Sequence, residues 1–247
     1  MKASPDAQLR LLELAEIDAE LTRLEHRRRG LPEHAELSRL EQRDRELRDE
    51  LAVLQAQEGD LRREQAKAEA DVEQVRTRID RDRARLDAGQ VSSPRELENL
   101  QSEIESLHRR QSDLEEVVLD VMERQETTGS RLQAAGAERE QVGADAGVAI
   151  TSRDAALAEI GEQAGKAADR RAAVLVDEPA ELVDLYERLR VQHGGVGAAA
   201  LRRGRCEGCH LSLNTVDLNA IRAAAADEVL RCEECRRILV RTDESGL

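Results

Sequence analysis

Residues 75–107 read VRTRIDRDRARLDAGQVSSPRELENLQSEIESL, and the residues on either side of Gly89 decide the fold. Approaching the glycine, the positions Val75, Ile79, Asp82 and Leu86 are spaced four, three and four. Leaving it, Leu97, Leu100, Ile104 and Leu107 are spaced three, four and three. That alternation is the a/d seam of a coiled coil. Between the two runs, Gly89 suits a helix C-terminus. Ser93, Pro94 and Glu96 then form a capping box with proline in the first turn. A reversal near 89–94 is therefore predicted. Upstream, the alternation runs without a slip from Leu37 to Leu86, with Asp44, Glu58, Gln65 and Asp82 as its polar positions. Downstream it reaches Leu132. Folding the chain back at about residue 91 pairs Leu86 with Leu97, Ile79 with Ile104, Val75 with Leu107 and Ala68 with Leu114. It also pairs Leu61 with Val121 and Leu51 with Leu132, and sets polar Glu58 opposite polar Gln125. Two parallel seams would not need this mirror symmetry. An intramolecular antiparallel hairpin is predicted, with a straight part of about 55 residues spanning about 80 Å at 1.5 Å per residue.

Composition agrees with a rod rather than a thick core. Among 247 residues there is one aromatic, Tyr186. Charged residues make up 36% of the chain, against about 25% in an average globular domain. A sizeable enzyme-like core is excluded on those grounds, and no nucleophile–base pair or phosphate loop stands out, so no enzyme activity is expected. The net charge of −14 opposes unspecific adhesion to nucleic acid or anionic membrane. No run approaches the roughly 18 apolar residues that a membrane span needs. The first residues pass directly into charged helix without an apolar signal core, which predicts a cytoplasmic protein.

Ser4-Pro5 opens a first helix, and Gly30-Leu31-Pro32 breaks it before the long seam begins. In the returning strand Gly129, Gly136 and Gly143 recur every seven residues, followed by Gly147, Gly161 and Gly165. Close helix approach, or a softened region packed by a third helix, is expected there, with a hinge as the sharper alternative. Pro179 opens a short helix to about Gln192, with Leu182, Leu185, Tyr186 and Leu189 on one face. His193-Gly194-Gly195 ends it. The fold class is thus mainly α: a long antiparallel coiled-coil hairpin over 1–177, a connecting helix over 178–194, and a small β-rich zinc ribbon over 195–247.

The chemistry resides in Cys206-Glu207-Gly208-Cys209 and Cys232-Glu233-Glu234-Cys235. Each Cys-x-x-Cys pair can present two thiolates to one ion, and two pairs complete tetrahedral zinc. In a reducing compartment, four cysteines point to metal rather than disulfides. The insert between the pairs reads as a small helix over 214–226, with Leu218 and Ile221 inward. Strand-like segments flank the second pair. One structural Zn2+ on Cys206, Cys209, Cys232 and Cys235 is predicted, with substitution by His210 as a minor alternative. Arg202, Arg203, Arg205, Arg236 and Arg237 cluster around the two pairs. They could meet phosphates or an acidic protein surface, or simply balance thiolates. Aromatic platforms for single-stranded nucleic acid are missing. At the hairpin turn, Arg95 is a further candidate contact.

The turn beginning Val91-Ser92-Ser93-Pro94, the segment Asp113 to Glu123 (DLEEVVLDVME), Leu185 to Arg190, and the two cysteine pairs together resemble a bacterial C4-type zinc-ribbon family. Its members carry an N-terminal coiled-coil hairpin and were long classed as a domain of unknown function. Val240 departs from it, since an aromatic often stands there in the family. The resemblance implies a non-catalytic adaptor, in some members linked to gene expression for flagella or secretion through sigma-factor or RNA contacts. A protein partner is expected, with nucleic acid held by the Arg-rich ribbon as the alternative. No membrane and no small-molecule substrate are expected. The internal seam favours a monomer, while Ala/Gly packing leaves a dimer open.

Overall fold

The computed structural model describes residues 1–247. Five helices and four short strands follow in the order α1 (Pro5–Arg29), α2 (Pro32–Asp87), α3 (Pro94–Leu175), α4 (Ala180–Gln192), β1 (Ala198–Arg202), β2 (Arg205–Cys206), α5 (Thr215–Ala223), β3 (Leu230–Arg231) and β4 (Ile238–Val240). The chain divides into two compact units, Ala35–Ile150 and Met1–His34 with Thr151–Leu247. This division differs from the expected boundaries at 177 and 195, for a reason found in the second unit.

In the unit Ala35–Ile150, α2 and α3 form the antiparallel hairpin. Leu40, Leu47 and Leu54 are buried with Ala135 and Val142, and Leu51 and Leu132 pack at their edge. Nearer the turn, Leu61, Ala68 and Ile79 are buried on one helix, and Leu100, Leu114 and Val121 on the other. Ion pairs across the seam keep the same register: Arg43 with Glu138 at 2.7 Å, Arg139 with Asp44 at 2.8 Å and Arg124 with Glu64 at 3.2 Å. The polar seam position Asp44 is thus neutralised from the facing helix. At the tip, Leu97 is 39% exposed. The reversal itself is local chemistry. Gly89 takes φ +64°, as a helix C-terminus requires. Ser93 Oγ accepts from the Glu96 amide, and the Glu96 carboxylate accepts from the Ser92 amide.

The glycines of α3 correct one expectation. The helix runs unbroken through all six, and a Cβ built at Gly129, Gly136 or Gly143 would meet no atom within 4 Å. These glycines flank the seam and permit no close approach. The softened-region expectation has a different counterpart in the second unit. There the later part of α3 packs on α1, with Leu24 and Leu31 buried against Ile160. The break at Gly30 lets a different helix take over as partner.

The second unit holds a four-stranded sheet of order β2-β1-β4-β3, with β1 and β4 parallel and the outer pairs antiparallel. Side chains alternate across it, as strand geometry demands. Ala198, Ile238 and Val240 face Leu11, Leu14, Leu182, Tyr186 and Leu189 of α1 and α4. Ala199, Leu201 and Leu239 face Ile221 of α5 and the cysteines. So short a ribbon covers only one face of its own sheet. The other face is closed by α1 and α4, which is why the compact unit joins residues far apart in sequence. The first residues reinforce this. The Ala3 amide donates to the Asp227 carbonyl at 2.8 Å, and the Gln8 side-chain amide donates to the Ala3 carbonyl at 2.9 Å.

Inside this unit lies a buried polar network that the sequence did not disclose. Asp18 is 1% exposed, and its carboxylate accepts from the Tyr186 hydroxyl at 2.7 Å and from Arg171 Nε at 2.7 Å. Arg171 also pairs with Glu187, which Arg190 holds at 2.8 Å. Burial, with Asp18 accepting its proton, pushes the Tyr186 phenol above its usual range. Glu187 is driven upward by burial, but Arg171 and Arg190 outweigh this and leave it below the usual carboxylate range.

Candidate metal centre

Two-residue strand chemistry sets the first cysteine pair. Arg203 and Gly204, at φ +47° and +74°, make the tight turn joining β1 to β2. The turn delivers Cys206 at the end of β2, paired with Leu201. The second pair follows β3, so that each knuckle leaves the sheet from a strand end.

The two knuckles repeat each other bond for bond. The His210 amide donates to the Cys206 carbonyl at 2.7 Å, and the Arg236 amide to the Cys232 carbonyl at 2.8 Å. The Cys206 amide donates to the Leu211 carbonyl and the Cys232 amide to the Arg237 carbonyl, both at 3.0 Å. His210 and Arg236, each directly after a second cysteine, take φ of +60° and +63°. The arginine before each first cysteine closes the loop: Arg205 donates to the His210 carbonyl and Arg231 to the Arg236 carbonyl, both at 2.8 Å. The repeated Arg-Cys-Glu-x-Cys carries this signal in the sequence, beyond the spacing of its thiols. His210 is exposed and its part in this centre is played by its backbone.

The four Sγ atoms lie within 4.8 Å of one another. Cys206 and Cys235 approach to 3.9 Å, as do Cys209 and Cys232. A Zn–S bond of about 2.3 Å puts tetrahedral sulfurs about 3.8 Å apart, so the donor set fits one Zn2+ with every position taken by sulfur. Burial pushes the Cys206 thiol up to about 12 and raises Cys232 as well. Cys235 is also pushed up by burial, but hydrogen bonds from the Arg237 amide and guanidinium and from neighbouring thiols outweigh this and lower it. Zinc would hold these groups as thiolates, at the cost of displacing their protons.

The arginines around the centre are largely committed. Arg237 donates to the carbonyls of Val196 and Gly208 at 3.0 Å and of His193 at 3.4 Å, and so clamps the first knuckle to the loop after α4. Arg202 pairs with Glu244 at 2.6 Å and Arg236 with Glu233 at 2.9 Å. Arg203 is exposed at the β1–β2 turn. Arg95 is exposed in the first turn of α3, and lies in the other unit. No helix is long and apolar enough to cross a membrane.

Residues 14–194 match the CT398-like coiled coil hairpin domain, and residues 205–239 the C4-type zinc ribbon domain. The uncharacterized protein Rv2229c of Mycobacterium tuberculosis is 38% identical over 243 residues, 98% of each chain. A structure from Mycobacterium smegmatis, also 38% identical, superposes with a TM-score of 0.82 over 98% of this chain and 100% of that one. The structure of CT398 from Chlamydia trachomatis is 20% identical and superposes with a TM-score of 0.72 over 96% of this chain and 98% of its own. It shares the fold.

Proposed function

The chain belongs to the CT398-like coiled-coil hairpin family with a C4-type zinc ribbon, and on that premise we propose that it is a non-enzymatic adaptor. It binds a protein partner in gene expression or macromolecular assembly, as a cytoplasmic monomer. The observation that carries this reading is the engagement of the ribbon's arginines. Arg237 spends its guanidinium on three backbone carbonyls, Arg205 donates to its own knuckle, and Arg202 and Arg236 face acids. Arg237 is thereby drawn inward, while Arg202 and Arg236, both more than half exposed, each stand beside an acid that would repel a phosphate. Four sulfurs around one ion leave no open position for substrate, which supports a structural role for the metal.

Nucleic-acid binding through the ribbon is the rival, favoured by exposed Arg203 at the β1–β2 turn. Zinc-loaded protein titrated into labelled single-stranded RNA and duplex DNA at low salt separates the two. The adaptor reading expects no binding. Binding that weakens linearly with log salt, and that falls when Arg202, Arg203 and Arg236 are changed to Gln, overturns it in favour of the rival.

A further inference from the structure

The segment Asp113 to Glu123 belongs neither to the metal centre nor wholly to the seam. Its seam positions, Leu114 and Val121, are buried, yet Leu119 is 59%, Met122 48% and Val117 46% exposed. Leu119 and Met122 are one helical turn apart and therefore share a face. Beside them Leu119 and Val118 help to line a shallow hollow of about 420 Å³, together with Val72, Glu69, Glu73, Arg76 and Glu115. The charge along α3 here is one-sided, whereas residues 60–76 of α2 hold five acids against four bases. Over residues 113–126 there are six acids, Asp113, Glu115, Glu116, Asp120, Glu123 and Glu126, against the single base Arg124. That base is already held by Glu64 and Asp120, and Arg76 by Glu73 and Glu115. Asp113, Glu116, Glu123 and Glu126 are left without an ion pair.

Exposed aliphatic side chains inside a field of uncompensated carboxylates call for a partner with apolar residues flanked by cations. We infer that the α3 strip around Leu119 and Met122 docks a basic amphipathic helix of the protein partner. The partner helix lies along the hairpin, sets leucine-like side chains on Val118, Leu119 and Met122, and places lysines or arginines against the acids on both sides. A second copy of this chain would bring the same six acids into apposition and is disfavoured by like charge. The assignment rests on the adaptor reading, since it names the kind of partner, but it stands or falls on a different surface.

The test uses full-length zinc-loaded protein and a labelled synthetic peptide of about 18 residues, built of leucine and lysine with one apolar helical face. A second peptide of equal charge has alanine for leucine. Fluorescence anisotropy is followed for wild type, for Leu119→Gln/Met122→Gln, and for Val148→Gln as an exposed control elsewhere on α3. Glutamine keeps helix propensity, and circular dichroism verifies the fold. The expected result is a loss of at least tenfold in affinity for the double variant, no change for the control, and at least tenfold weaker binding of the alanine peptide. Equal binding by the double variant, or by the alanine peptide, overturns the assignment and leaves only charge attraction. So does sedimentation showing a dimer that the double variant abolishes, because a second copy then covers the strip. Nucleic-acid binding by the ribbon would retire the adaptor reading without changing the peptide result, so the two failures are distinguishable.

Discussion

Tyr186→Phe isolates one hydrogen bond in the interior of the zinc-bearing unit. The phenol is fully buried, and its hydroxyl donates at 2.7 Å to the Asp18 carboxylate, which also accepts from Arg171. The ring's packing survives the substitution and the carboxylate keeps its cation, so the loss is that of a hydrogen bond to a charged acceptor, about 1.5–3 kcal/mol. At roughly 2–4 °C per kcal/mol for a chain of this size, thermal unfolding moves down by about 3–12 °C. Asp18→Asn should cost at least as much, because it weakens the acceptor of the phenol and removes one of the two carboxylates that hold Arg171. The assay is urea and thermal unfolding of zinc-loaded protein. Tyr186 is the only aromatic in the chain, so its near-ultraviolet signal reports this unit alone. The same residue gives a pH test. Burial and Asp18 hold the folded phenol above its ordinary value of 10.0, so the unfolded chain releases its proton first and stability falls as pH rises past about 10. Tyrosinate absorbance should appear only together with unfolding. A Tyr186→Phe protein within about 0.5 kcal/mol of wild type, or tyrosinate forming in folded protein at its ordinary pH, would refute the network as a stabilising element.

Changing Gly129, Gly136 and Gly143 together to alanine should stabilise the hairpin by about 1–3 kcal/mol, since each new methyl meets open space and the unfolded chain loses freedom; destabilisation in urea would mean the glycines serve an approach or bend not evident in the fold. Chelation of zinc should abolish the ordered tyrosine signal along with the ribbon, because β4 packs on α1 and α4 through its other face, whereas the far-ultraviolet helical signal should largely persist. Zinc affinity should strengthen as pH rises, as the burial-raised thiols of Cys206 and Cys232 give up their protons more readily, a slope that competition with a calibrated chelator measures. Arg237→Met should weaken zinc retention by about 10–100-fold, in the manner of an outer-shell ligand, while Arg202→Gln should leave it near wild type; equal effects would deny the clamp.

The seam was legible because helical periodicity is a local property repeated over many turns, and because polar exceptions such as Glu58 and Gln125 fell opposite each other. The thiols were legible because metal geometry fixes their spacing. Two things were not. The covering of β1 and β4 by α1 depends on contacts between residues such as Leu11 and Ile238, whose separation leaves no pattern in the chain. Neither does Asp18, which resembles any other acid on an amphipathic helix until Tyr186 and Arg171 close over it. The hydrogen-bond partners of the arginines were hidden for a related reason. Clustering in sequence measures proximity to the knuckles, while the direction of each guanidinium is set by which carbonyl lies unpaired beside it. Strand β1 was missed because its three alanines carry little strand propensity, and β2 because two residues are too few to show a pattern.

The union of α1 with the ribbon has a consequence during synthesis. The apolar stripe of Leu11, Leu14 and Ile17 leaves the ribosome more than 200 residues before Ile238 and Val240, which cover part of it. At about 5–20 residues per second, the early helix waits on the order of 10–40 s for its cover. The hairpin, made entirely in between, has its own cover at hand and can close first. A newborn chain therefore passes through a stage in which the hairpin is complete while the apolar stripe of α1 still lacks part of its cover.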